Sequence, residues 1–131
     1  MPGAAGASTA VDTGYVEVHV TTPDGPTAAR LARLLVEERL AACVQVLPGV
    51  TSVYRWDGAV ETADEHLLLV KTTAAAFQAI RERIGSEHPY DTPEVLALPV
   101  VAVAPGYAAW LSASVDADPG RGSPPSSEDL P

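Results

Sequence analysis

Between two polar ends, apolar positions along the chain change period several times. Tyr15-Val-Glu-Val-His-Val-Thr alternates with period two, placing Val16, Val18 and Val20 on one side of a strand. Thr22-Pro-Asp-Gly-Pro supplies turn and helix-capping chemistry. The spacing then predicts a helix over about 27–42, with Leu31, Leu34 and Leu35 on its apolar face and Arg30, Arg33, Glu37 and Glu38 on its wet face. A second strand runs from Cys43 to Trp56, bent at Pro48-Gly49, where proline removes a ladder donor and glycine permits a bulge.

Asp57-Gly58 is a two-residue hairpin signal, because a type I′ turn needs positive φ at both central positions. If the register holds from that turn, Trp56 faces Ala59 and Tyr54 faces Glu61 on a return strand over about 59–73. A second helix over about 74–87 follows, with Phe77, Ile80 and Ile84 on one face. It stops before Pro89, which pushes His88 out of the α region. A fourth strand is expected over 94–103, and a short helix over about 106–114 carries Tyr107, Trp110 and Leu111.

The order βαββαβ plus a C-terminal helix predicts an α+β fold of the ferredoxin-like, split-βαβ kind: a four-stranded antiparallel sheet with helices on one face. One domain over 14–115 is expected. Residues 1–13 are Ala/Gly/Ser-rich, and residues 116–131 are acidic and rich in Pro, Ser and Gly. Both are expected to be disordered, because neither can bury enough apolar area to offset its ordering entropy.

Apolar periodicity also exposes a difficulty. With helices on one face only, each strand should alternate apolar and polar. The third strand instead puts Leu67 and Leu69 on one face and Leu68 and Val70 on the other. The fourth sets Val95 and Ala97 against Leu96, Leu98 and Val100. Something must cover the second face. Copies of the same chain do this most simply, and a C-terminal helix of two to three turns could cover only part.

Charge narrows the partners. The formal net charge is −9, which disfavours nucleic acid and anionic membranes, since both reward clustered Lys and Arg. An RNA-recognition sheet needs exposed aromatics and cations, and this chain has one Lys and one Phe. A small-phosphatase reading of the same fold fails for want of any Asn. The single cysteine, Cys43, excludes an intrachain disulfide and fits a reducing cytoplasm. No basic n-region opens the chain, and no stretch approaches the roughly 20 apolar residues that span a bilayer. A soluble, cytoplasmic protein is expected.

Candidate chemistry is densest in Ser86-Glu87-His88-Pro89-Tyr90-Asp91-Thr92-Pro93-Glu94. Imidazole and carboxylate together suit borderline divalent metals, and histidine can move protons near neutral pH. The structural alternative is that His88 and Tyr90 cap the helix and pack the loop. Cys43 reads as a small buried hydrophobe unless a base lies beside it. Lys71, the only lysine, either snorkels to solvent or contacts an anion in a cleft. Trp56 at a hairpin tip either packs there or touches a neighbouring subunit.

Several blocks carry a resemblance: Thr21-Thr-Pro-Asp, Leu34-Leu-Val-Glu-Glu-Arg-Leu-Ala-Ala-Cys-Val, Leu47-Pro-Gly-Val-Thr-Ser-Val-Tyr-Arg-Trp-Asp-Gly, Leu69-Val-Lys-Thr-Thr, His88-Pro-Tyr-Asp-Thr-Pro-Glu and Tyr107-Ala-Ala-Trp-Leu. In order and spacing, over about residues 15–115, they resemble the CutA family of divalent-cation tolerance proteins. The resemblance implies a ferredoxin-like subunit in a tight homotrimer whose long hairpins pair between neighbours. It also implies a link to copper and other divalent cations, and an architecture similar to PII-type signalling trimers. Matched motif by motif, the family's intersubunit clefts fall on Cys43, Trp56, Lys71, His88, Tyr90, Glu94, Tyr107 and Trp110. Val20 stands where some members have Cys, Glu87 where some have a second His, and Asp91 where many have Glu. His88 is the imidazole left as a metal ligand. Two other functions stay open: a PII-like sensor of a small anionic metabolite using Lys71, and an enzyme pairing Cys43 with His88. No catalytic residue and no organic cofactor are implied.

Overall fold

The computed structural model describes residues 12–116. Its elements run β1 (Tyr15–Thr22), α1 (Gly25–Glu37), β2 (Cys43–Trp56), β3 (Ala59–Thr73), a 3-10 turn (Ala74–Ala76), α2 (Phe77–Glu87), β4 (Leu96–Pro99) and α3 (Pro105–Ser114). The four strands form one antiparallel sheet in the order β2-β3-β1-β4. The outer parts of the two expected tails lie outside the described residues. Asp12 and Thr13 are held to the domain: the Gly14 amide donates to Asp12 and the Thr13 hydroxyl to the Val100 carbonyl. At the other end, the Asp116 amide donates to the Arg39 carbonyl.

Local chemistry explains most boundaries. The Asp24 carboxylate accepts the Thr27 amide at 2.8 Å, and Pro26 occupies the first turn of α1, where no amide donor is needed. The amide hydrogen bond lowers the Asp24 pKa from its ordinary value. α1 is shorter than the 27–42 expected. Arg39 takes φ 60°, a left-handed conformation that stops the helix. Leu40, Ala41 and Ala42 then turn inward as buried residues, and the Ala42 amide donates to Lys71 to start β2.

The hairpin follows the sequence closely. Asp57 and Gly58 have φ of 51° and 81°. Trp56 lies opposite Ala59 and Tyr54 opposite Glu61, and the β2/β3 register shifts between Leu47 and Val50 with Gly49 at φ 74°. β4 is the main correction. Only Leu96–Pro99 pair with β1, not 94–103. The Val100 amide reaches the carbonyl of Tyr15, the first residue of β1, so 101–104 have no strand to join. Pro99 is tolerated because β4 is an edge.

On one face, Val18, Val20, Leu68 and Val70 pack against Leu31 and Leu35 of α1 and Ile80 and Ile84 of α2, all fully buried. Leu111 and Val115 close the end of this core. By strand parity, the other face carries Glu17, His19, Cys43, Gln45, Leu47, Leu67, Leu69, Lys71, Leu96 and Leu98. Leu47, Leu96 and Leu98 are exposed there. Past the bulge, β2 and β3 continue as a two-stranded arm. Val53, Trp56 and Val60 on it are 64–66% exposed.

Candidate functional site

Where the arm leaves the sheet, it forms one wall of an open cleft of ≈ 620 Å³, and the 90–94 loop forms the other. Ser52, Tyr54 and Trp56 alternate along one side of the arm, the side that continues the open face of the sheet. Glu65 and Thr21 are at the root; Tyr90, Asp91, Thr92 and Glu94 come from the loop. Three carboxylates and three aromatic rings therefore line one open cleft. That chemistry suits a cation, by charge and by the negative faces of the rings.

Two tertiary contacts hold the loop. The His88 ring is buried, and its Nε2–H donates to the Thr21 carbonyl at 2.8 Å. Its Nδ1 accepts the Tyr90 amide at 3.0 Å. A carbonyl can only accept and an amide can only donate, so the ring is the neutral Nε2–H tautomer with both nitrogens engaged. The His88 and Tyr90 rings lie 4.7 Å apart. The Tyr90 hydroxyl then donates to Glu65 at 2.9 Å. Burial, with Glu65 beside it, pushes the Tyr90 phenol up to about 12. Glu65 is 7% exposed and pairs with no cation among the described residues.

The residues expected to share one cleft divide into three groups within the subunit. Trp56, Tyr90 and Glu94 line the cleft above, with His88 behind the loop. Cys43 and Lys71 are register partners on the open sheet face. The Lys71 ammonium lies 2.6 Å from Gln45 and 3.4 Å from Glu17, whose other carboxylate oxygen is 2.7 Å from His19 Nε2. The His19 hydrogen bond, with Lys71 adding to it, lowers the Glu17 pKa. Tyr107 and Trp110 form the third group, an exposed ring pair on α3 at 5.3 Å.

His88, expected as a metal ligand, has both ring nitrogens engaged within the subunit, so an ion bound there would displace a hydrogen bond. Among the described residues, no three His, Cys, Asp or Glu side chains form a group able to hold a metal ion. The described residues of one subunit thus hold no cluster of that kind. Within one subunit, Cys43 and His88 do not come together. Cys43 sits across from Lys71, which faces Glu17 on β1; Thr21, which holds His88, is four residues further along, about 13 Å of strand. Sequence reasoning missed Glu65, Tyr54 and Thr21 as neighbours of this loop. The one signal for Glu65 was a carboxylate in the middle of a strand that turns apolar two residues later, at Leu67.

A profile of the family described as CutA1 divalent ion tolerance protein matches residues 16–114. The chain belongs to the CutA family. It is 50% identical over 94 residues to the divalent-cation tolerance protein CutA of Thermus thermophilus, covering 72% of this chain and 91% of that protein. The solved Thermus protein superposes with a TM-score of 0.77 at 46% identity, over 78% of this chain and 99% of that one. Rice CutA1 superposes with a TM-score of 0.78 at 40% identity, over 85% and 100%. The CutA of Archaeoglobus fulgidus, titled periplasmic, does so at 0.76 and 31%, over 78% and 99%. The family is thus named for tolerance of divalent cations and not for a reaction. No helix among the described residues is long and apolar enough to cross a membrane.

Proposed function

We propose that this chain is the ferredoxin-like subunit of a homotrimeric, cytoplasmic CutA protein that responds to divalent cations, copper among them, without turning over a substrate. The observation that carries the reading is the match to the divalent ion tolerance family over nearly the whole described domain. The strand order β2-β3-β1-β4 with helical crossovers between β1 and β2 and between β3 and β4 supports the ferredoxin-like description. The exposed leucines of the open sheet face and the bare arm support the trimer, since monomers seldom leave such surface uncovered.

Because the described residues of one subunit hold no preformed metal cluster, the divalent ion is met in this reading by side chains drawn from more than one copy. A PII-like sensor of an anionic metabolite is not favoured: Lys71, its cationic contact, is already occupied by Glu17 and Gln45.

Sedimentation velocity tests the assembly, with a single species of three chains expected. Calorimetric titration of the assembled protein with copper(II) tests the cation response. Saturable binding is expected, and His88→Ala should retain it. A wild type that takes up no copper removes the metal half of the proposal. Copper binding abolished in a folded His88→Ala trimer returns the imidazole to the ligand set.

A further inference from the structure

The two faces of the hairpin arm differ in chemistry. Tyr54 and Trp56 look into the acidic cleft. Arg55 and Val60, which face each other across the ribbon, fall on the opposite side by the alternation of the strands. Val60 is among the most exposed hydrophobics of the chain, and Arg55 is exposed. Among the described residues Arg55 and Arg81 make no ion pair, whereas Arg30, Arg33, Arg39, Lys71 and Arg83 all do; Arg81 is held by Gln78 on its own helix, and Arg55 has no hydrogen bond either.

On the other side of the arm, Glu65 is more than nine-tenths buried at the root of the cleft without a cation, and Asp91 and Glu94 stand exposed at its rim. A buried carboxylate without a countercharge is costly. An aromatic-walled acidic space fits a guanidinium better than an ammonium or a small metal ion, because a planar guanidinium stacks on rings while its fork meets carboxylates.

We propose that the occupant of this cleft is the arm of a second copy of the chain, with its Arg55 guanidinium set between the aromatic wall and Glu65, Asp91 and Glu94, and its Val60 covered at the mouth. The contact is head-to-tail, one face of an arm meeting the opposite face of the next. A contact of this kind closes into a ring when the rotation permits. The inference rests on the trimer reading and adds the charge pair that fixes how neighbours dock.

The test is a charge exchange on exposed residues, read by sedimentation over a dilution series at low salt. Arg55→Glu should raise the concentration at which the assembly dissociates by roughly tenfold or more, since a docked charge is then opposed by carboxylates. Glu94→Arg should weaken assembly likewise. The double variant Arg55→Glu/Glu94→Arg should recover a good part of the loss. Circular-dichroism melts of the dissociated subunits should stay unchanged, because both side chains are exposed and neither makes a hydrogen bond or ion pair among the described residues. A wild type that sediments as a monomer overturns the trimer reading itself. A stable wild-type trimer whose dissociation is unmoved by Arg55→Glu, or two single variants whose losses simply add in the double, leaves that reading standing and overturns this one.

Discussion

The Tyr90 hydroxyl donates to the Glu65 carboxylate at 2.9 Å, across 25 positions of sequence, and so fastens the His88-Pro89-Tyr90 loop to the root of the hairpin arm. Glu65 is buried and Tyr90 is its hydrogen-bond donor. Removing the donor leaves a buried carboxylate underserved, which costs about 1–3 kcal/mol. Tyr90→Phe is therefore expected to lose stability in that range by urea denaturation. Glu65→Gln, which keeps an acceptor for the hydroxyl, should lose less. The double variant should cost less than the two singles summed, because the same contact is removed only once. Additive losses would show that the pair is not coupled.

The same contact makes a prediction at high pH. Burial first, and the Glu65 carboxylate second, raise the Tyr90 pKa from 10.0 to about 12. A raised folded-state value favours the protonated form in the fold. Its contribution is therefore complete below the unfolded value of 10.0 and is lost as pH rises towards 12. Difference absorbance of wild type against Tyr90→Phe should show this phenol ionising above pH 10, towards 12. The melting temperature of the wild type should fall over the same window more steeply than that of the variant. Equal slopes would mean that the phenol ionises alike in folded and unfolded chain.

How much of this was legible in the sequence depended on the range of each interaction. The Asp57-Gly58 turn, the bulge at Pro48-Gly49 and the pairing of Trp56 with Ala59 are set by residues a few positions apart, and they came out as read. The shortening of β4 was not legible, because it depends on where β1 begins, some eighty positions away. The early stop of α1 was hidden for a different reason. Arg39 takes the left-handed cap that glycine usually supplies, and nothing in its side chain announces it. The candidate site was half legible. His88, Tyr90 and Glu94 stand out as a cluster, but the atoms that decide His88's role, the Thr21 carbonyl and the Tyr90 amide, are backbone groups to which residue type gives no clue.

A cluster of charges joins the two main helices. Arg83 on α2 reaches Glu38 at 2.8 Å and Glu87 at 2.7 Å, and Arg30 on α1 reaches Glu87 at 3.0 Å. The Arg83 hydrogen bond is the largest cause of a lowered Glu87 pKa, and Arg83 itself is held more firmly protonated. A depressed carboxyl value stabilises the fold above the unfolded value of 4.5 and stops doing so as pH falls through the lower folded value. Arg83→Ala should therefore be less stable at neutral pH, and its melting temperature should fall less steeply than that of the wild type below about pH 4.5. Parallel curves would show that the network, which lies at the surface, contributes nothing net. That outcome is common for exposed pairs and is avoided here only if the shared geometry of two arginines and two glutamates acts together.

Trp56 carries the final prediction. It ends β2 at the tip of the arm, paired in register with the small Ala59, and 64% of its surface is open. A side chain so exposed contributes little to the fold of its own subunit, and Trp56→Ala should change subunit stability by about 0.5 kcal/mol or less. Buried at a subunit boundary, the same indole would be an anchor whose truncation costs about 2 kcal/mol or more. The two values separate folding from assembly in one variant. Sedimentation at nanomolar to micromolar protein should show Trp56→Ala dissociating at concentrations where the wild type is intact, while denaturant unfolding of the dissociated subunit is unchanged. A variant that stays assembled to the same dilution as wild type would place the indole outside any interface, and the exposed arm would then need another explanation than contact between copies.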